Sequence, residues 1–224
     1  MVVLVYSRTG AKRFLSHIDV LRDFARIVRR ADIPVGYSAG FNPHALLFFS
    51  PPTPVGIASV AEYAALDTEL SPEETLARFN AAVSEDMRAS AAYRVLKNPN
   101  LAGRIAAADH VFPFPADAYD ISRGLELSYV KKGTPVREDV SDRIFAAENR
   151  DGKLLLRLAS GNVTLRADRV FDALKSALGT DALVTDALVT DALVTDVVKT
   201  EQYVREGGVL IPAREALEKR NQIF

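Results

Sequence analysis

The sequence predicts an α+β protein. Its first half follows the ferredoxin-like βαββαβ order, and a second α+β half loosely repeats the theme. Three observations carry this reading. The chain opens on a β-branched and aromatic run at residues 2–6. Two segments with helical apolar spacing each begin behind a serine cap, at Ser16 and Ser71. Short apolar runs at residues 46–50, 60–70 and 91–97 are set apart by proline and glycine turns.

The elements follow in order. Residues 2–6 form the first strand, and residues 12–15 continue or pair with it. Ser16 and Asp19 make an S-x-x-D pattern, close to a capping box. Behind it Val20, Leu21, Phe24, Ile27, Val28 and Ala31 fall on one face of a helix that runs to about Asp32. Pro34, Gly36, Gly40 and Pro43 turn the chain before the strand at residues 46–50, and Pro51, Pro52, Pro54 and Gly56 form a stiff corner after it. Residues 60–70 are the next strand. Ser71-Pro72-Glu73-Glu74 starts a second helix with a cap, a proline in its first turn and acids at its positive end. A strand at residues 91–97 completes the unit, and Asn98-Pro99-Asn100 marks a boundary.

The second half, residues 99–210, offers strands at residues 110–114 and 127–131, a helix near residues 117–125, and a strand at residues 153–158 after an Asp151-Gly152 turn. An amphipathic helix at Ala167–Leu178 and a strand at residues 197–204 follow. Residues 211–224 read as a charged helical tail that begins at Pro212. Near residues 180–196 Thr-Asp-Ala-Leu-Val occurs three times in succession, and Thr195-Asp196 starts a fourth copy. A period of five advances about 140° on a helix and swaps faces on a strand, so it builds no continuous core face. It reads as a duplication that lengthened a surface segment.

Composition excludes several functions. The 224 residues contain no cysteine, which removes disulfides, thiolate zinc sites, cysteine nucleophiles and cysteine-ligated iron–sulfur clusters. A net charge of −1 gives no global attraction to nucleic acid or anionic membrane, so any such partner must meet a local patch. No apolar run reaches the ~20 residues that span a bilayer, and the opening residues lack the features of a signal peptide. The expectation is a cytoplasmic protein.

The near-neutral total hides a dipolar chain. Residues 1–32 hold seven basic and three acidic side chains, whereas residues 62–86 hold seven acids and one base. Arg22, Arg26, Arg29 and Arg30 lie at i, i+4, i+7 and i+8, on the helix face opposite the apolar one. Guanidinium forks suit phosphate, although such a stripe also serves as a solvated face. Next comes Gly36-Tyr37-Ser38-Ala39-Gly40-Phe41-Asn42-Pro43-His44, inside a stretch from 33 to 61 without Asp, Glu, Lys or Arg. Tyr37 and Phe41 can stack on a base, and Asn42 and His44 offer hydrogen bonds. The bland counterpart is a turn with both rings packed inside. His17, His44 and His110 show no metal-ligand spacing, and no catalytic residues are assigned.

Arg13-Phe14-Leu15-Ser16-His17-Ile18-Asp19, the arginine-rich helix and the segment from Ile33 to His44 together resemble the N-terminal signature of a bacterial family of uncharacterised radical-SAM-linked proteins. Pro54-Val55-Gly56 and Glu62-Tyr63 continue the likeness, as do Leu158-Ala159-Ser160-Gly161-Asn162-Val163-Thr164-Leu165-Arg166 and Thr200-Glu201-Gln202-Tyr203. Ala45, Leu46 and Phe48 depart from that pattern, which has a proline, a basic residue and a serine there. The resemblance implies an accessory domain fused to, or encoded beside, a radical-SAM protein of the cobalamin-associated type. The iron–sulfur cluster, S-adenosylmethionine and cobalamin would then belong to the partner, with no cofactor and no metal in this chain. The resulting expectation is a non-catalytic binding module that presents RNA or another anionic substrate through Arg22, Arg26, Arg29, Arg30, Tyr37, Phe41, Asn42 and His44. The alternatives are a protein–protein scaffold without RNA binding, or a small enzyme using His17 or His44 with Glu62 or Asp19.

Overall fold

A computed structural model describes residues 1–178 and 196–219. The five-residue repeat, apart from Asp196, lies outside the described residues, as does the end of the tail.

The first half forms β1 (Val2–Arg8), α1 (His17–Arg30), β2 (Leu47–Phe49), β3 (Ala58–Leu66), α2 (Pro72–Ala81) and β4 (Ala89–Arg94). The strands lie in the order β4-β1-β3-β2, all neighbours antiparallel, as the ferredoxin-like pattern requires. Serine caps set both helix starts. Ser16 Oγ accepts from the Asp19 amide at 3.2 Å, and Ser71 Oγ accepts from the Glu74 amide at 3.0 Å. α1 stops at Arg30 because Asp32 turns left-handed (φ 50°). Residues 12–15 do not extend β1; Gly10–Phe14 coil into a short 3₁₀ turn.

After a one-turn α3 (Leu101–Arg104) come β5 (Ile105–Pro115), the hairpin β6 (Glu126–Lys131) and β7 (Thr134–Asp139), then β8 (Ile144–Arg150), β9 (Lys153–Ala159), α4 (Ala167–Leu178), β10 (Val198–Glu206), β11 (Val209–Pro212) and α5 (Ala213–Lys219). The sheet order β10-β5-β9-β8 again places the first strand between the third and fourth of its unit. The second half is therefore a second ferredoxin-like array, with the β6–β7 hairpin in the place of its first helix. The helix expected near residues 117–125 is absent. Asp120 caps a single turn at Ile121–Arg123, and Gly124 at φ 68° ends it. The charged tail begins as β11 and turns helical only at Ala213.

β10 joins the halves by pairing parallel with β3 (Val198↔Ala58, Lys199↔Ser59) and antiparallel with β5 (Lys199↔His110). One continuous sheet results. By register Leu4, Tyr6, Arg8, His110 and Phe112 share one face. On that face Phe24 of α1 sits about 5 Å from the rings of Tyr6, Phe49 and Phe79, and α4 packs Val170 and Leu174 over Phe112, Phe114, Leu154 and Leu156. α5 covers Val3, Val5 and Tyr63 on the other face. Among the described residues no helix is long and apolar enough to cross a membrane.

Candidate functional site

Burial of Val20, Phe24, Ile27 and Val28 fixes the rotation of α1, so Arg22, Arg26, Arg29 and Arg30 all face outward. They do not act together. Arg22 lies 3.7 Å from Asp19. Arg30 is committed to the end of α2, its Nε donating to the Ala82 carbonyl at 3.1 Å. Arg26 and Arg29 form no ion pair among the described residues.

The glycine-bearing loop is a small hairpin. Tyr37 bridges Ala45, the Ser38 amide donates to the His44 carbonyl at 2.9 Å, and Ser38 Oγ meets His44 Nδ1 at 2.8 Å. This clasp holds the His44 ring at the base of the hairpin. Gly36 sits so close to Asp67 that a Cβ there would lie 2.3 Å from Asp67 Oδ2. At the tip Gly40 adopts φ 121°, Asn42 is exposed, Tyr37 is 57% exposed and Phe41 is fully so. The reading in which both rings pack inside is thereby excluded.

Between α1, β2 and the segment after β4 lies a groove of about 560 Å³. Leu21 and Ala25 form one wall, Leu47 to Pro52 the other, and Asn98 to Ala102 the end. Its lining carries the ionisable side chains His17, Arg22 and His44, together with the polar Ser50, Asn98 and Asn100. Of the eight sequence-selected residues the groove brings together Arg22 and His44. Arg26, Arg29, Arg30, Tyr37, Phe41 and Asn42 lie outside its lining. Burial and the nearby Arg8 charge, opposed by Glu62, hold the His17 pKa below the ordinary histidine value. His17 is therefore neutral at neutral pH, able to donate from one ring nitrogen and accept at the other.

Where the two halves meet, the same sheet face carries a buried charged seam that sequence reasoning did not find. Lys199 Nζ lies 2.8 Å from Glu62 Oε1, their side chains 4% and 6% exposed. Thr53 Oγ1 donates to the same carboxylate at 2.5 Å, and buried Arg8 donates from Nη2 to the Thr53 and Pro54 carbonyls at 3.0 and 3.1 Å. Two β-bulges aim these groups: β3 spends an extra residue between Glu62 and Ser59, and β10 another between Lys199 and Glu201. Burial pushes the Glu62 carboxyl up, but Lys199, Arg8 and the two hydrogen bonds outweigh it, and its pKa falls below the usual value. Burial lowers Lys199 against the pull of Glu62. His110, opposite Lys199 and 6% exposed, is pushed down to about 3, chiefly by burial and then by Lys199. The seam thus sets two cations against one carboxylate, and Arg8 Nε is buried without a hydrogen-bond partner.

Further along β10 the network continues. Tyr63 donates to Glu201 at 2.7 Å, Gln202 Nε2 to Ser50 Oγ at 3.1 Å, and Tyr203 to Asp109 at 2.6 Å, where Arg157 forms a bidentate pair at 2.8 and 3.0 Å. The separated motifs Glu62-Tyr63 and Thr200-Glu201-Gln202-Tyr203 therefore meet in space. A family of uncharacterised proteins conserved in bacteria, DUF2344, has a model that matches residues 2–166. The chain belongs to this family. The matched span contains α1, the hairpin and both groove walls, whereas Lys199 and Glu201 lie beyond it. Comparison with curated proteins gave no match.

Proposed function

We infer that the chain is a non-catalytic binding module that holds single-stranded RNA in the groove and presents it to a radical-SAM partner, which would carry the iron–sulfur cluster, S-adenosylmethionine and cobalamin. One observation carries the reading: Arg22, His17 and His44 converge on walls that are otherwise mostly apolar. Such walls accept the face of a base, a guanidinium meets a phosphate, and a neutral imidazole can hydrogen-bond a base edge. The seam supports it from below, since Arg8, Glu62 and Lys199 fix the register of β1, β3 and β10 under the α1 terminus. The radical-SAM partner rests on the sequence resemblance alone.

The test is fluorescence anisotropy of a labelled oligouridylate of about four nucleotides, near the lower site size of single-strand binders, titrated with the full chain at several salt concentrations. Binding that weakens with salt, and that Arg22→Ala and His44→Ala each reduce, is the expected result. Binding indifferent to both substitutions would remove the groove from the reading.

A second reading is favoured by Phe41. A fully exposed ring on a clasped hairpin is a ready anchor for a protein surface. In that reading Phe41→Ser abolishes co-purification with the radical-SAM protein while oligouridylate binding is unchanged.

A further inference from the structure

A second groove, of about 480 Å³, lies on the other side of α3. Leu101 and Ala102 line the first groove, while Gly103 and Arg104 line the second. The helix between them is four residues long, or about 6 Å of rise, so the two hollows are separated by a single ridge. The second groove is bordered by Arg104, Arg143 and Arg205 against one aspartate, Asp142, with Phe145, Ser160 and Asn162 completing its polar and aromatic lining.

These arginines differ in their commitments. Arg143 pairs with Glu138 at 2.6 Å, and Arg104 with Glu206 at 2.8 Å. Arg205 is exposed and forms no ion pair among the described residues; its Nη1 donates only to the Gly208 carbonyl at 3.3 Å. Its guanidinium carbon lies 5.5 Å from the centre of the Phe145 ring, which is itself 38% exposed. A cation beside an open ring pairs a phosphate ligand with a stacking surface. Gly161 lies between the lining residues Ser160 and Asn162. It adopts φ 80° where an added Cβ would lie 2.3 Å from the Ile105 carbonyl, and beside it the Ser160 amide donates to the Ala106 carbonyl at 3.0 Å, holding this segment against the start of β5.

We propose that the second groove is a phosphate-and-base subsite for the same RNA strand, so that the ligand runs from the first groove over α3 onto Arg205 and Phe145. This rests on the reading of the first groove given above. It makes the ligand a strand of several nucleotides rather than a mononucleotide. The ridge is short enough for adjacent nucleotides to reach both hollows.

The experiment compares labelled oligouridylates of about four and about twelve nucleotides, which bracket common single-strand site sizes, on the full-length wild type, Arg22→Ala, Arg205→Glu and the double variant Arg205→Ala with Phe145→Ala. The longer strand should bind at least about tenfold tighter to the wild type. The double variant and Arg205→Glu should each erase that advantage, reduce the salt slope by about 0.7 for each lost phosphate contact, and leave the shorter strand unaffected. Residues 145 and 205 are solvent-facing, and an unchanged unfolding temperature confirms that the variants fold. If the longer strand binds both variants as it binds the wild type while Arg22→Ala still weakens both lengths, the track over α3 is wrong and the first groove stands. If neither length binds the wild type, the RNA reading of the first groove fails and the track fails with it.

Discussion

His110 ties the fold to pH in a way that can be measured. Its ring is buried beside Lys199, with Nδ1 3.2 Å from the Ala108 carbonyl, and its pKa is pushed down to about 3 from an ordinary value of 6.5. A released chain binds a proton at this ring once the pH falls below the ordinary value, but the folded chain does not until near its own lowered one. The unfolded state then holds more protons, so stability falls as pH drops through that window. Each pKa unit corresponds to about 1.4 kcal/mol, and between pH 7 and pH 4 the loss from this one ring is about 3 kcal/mol. The assay is urea unfolding followed by circular dichroism at both pH values, for the wild type and for His110→Gln, which cannot titrate. Carboxylates contribute equally to both proteins, so the difference of differences isolates the imidazole. The wild type should lose about 3 kcal/mol more than the variant over that interval. Equal losses would refute the picture of a neutral ring locked in the seam.

Two further outcomes follow from the packing. Lys199→Met leaves the Glu62 carboxylate with Arg8 and Thr53 alone, and should cost about 3–5 kcal/mol in chemical denaturation at neutral pH; a loss below about 1 kcal/mol would mean the pair is not desolvated. Gly161→Ala would place a Cβ 2.3 Å from the Ile105 carbonyl at φ 80°, so the unfolding temperature should fall by several degrees, with a stability loss of at least about 2 kcal/mol, whereas Gly133→Ala, which meets nothing within 4 Å, should cost less.

The first half could be read from sequence because its signals are local. A serine cap, a proline in the first helical turn and an apolar stripe all act within a few residues, and they located α1 to within two residues of both its ends and α2 at its start. The second half was harder for a physical reason. β7 and β8 expose much of their surface, so their sequences carry no clean alternation to betray them. The Lys132-Gly133 turn that closes the hairpin, with both residues at positive φ, was the one usable sign. At the site, the sequence selected Arg22 and His44 and noticed His17, but grouped with them three arginines that lie outside the groove lining. The seam was invisible. Glu62 sat in an acidic run and Lys199 in a β-branched one, and only strand register joins them. A lysine directly after two valines late in the chain was the available hint.

The placement of β10 has a consequence for how this protein comes into being. A strand contributed by residues 198–206 is wedged into the middle of the sheet, between partners translated far earlier. Until it emerges from the ribosome, the Ala58–Ser59 end of β3 lacks its neighbour on the edge that β2 covers only from Ala64 to Leu66, and the Glu62 carboxylate has no ammonium to meet it. Assembly therefore waits on a late, long-range pairing, the kind that slows folding and leaves intermediates prone to association. Severing the chain at Asn98 would leave the first unit with the start of β3 unpaired on one edge and with Glu62 deprived of Lys199.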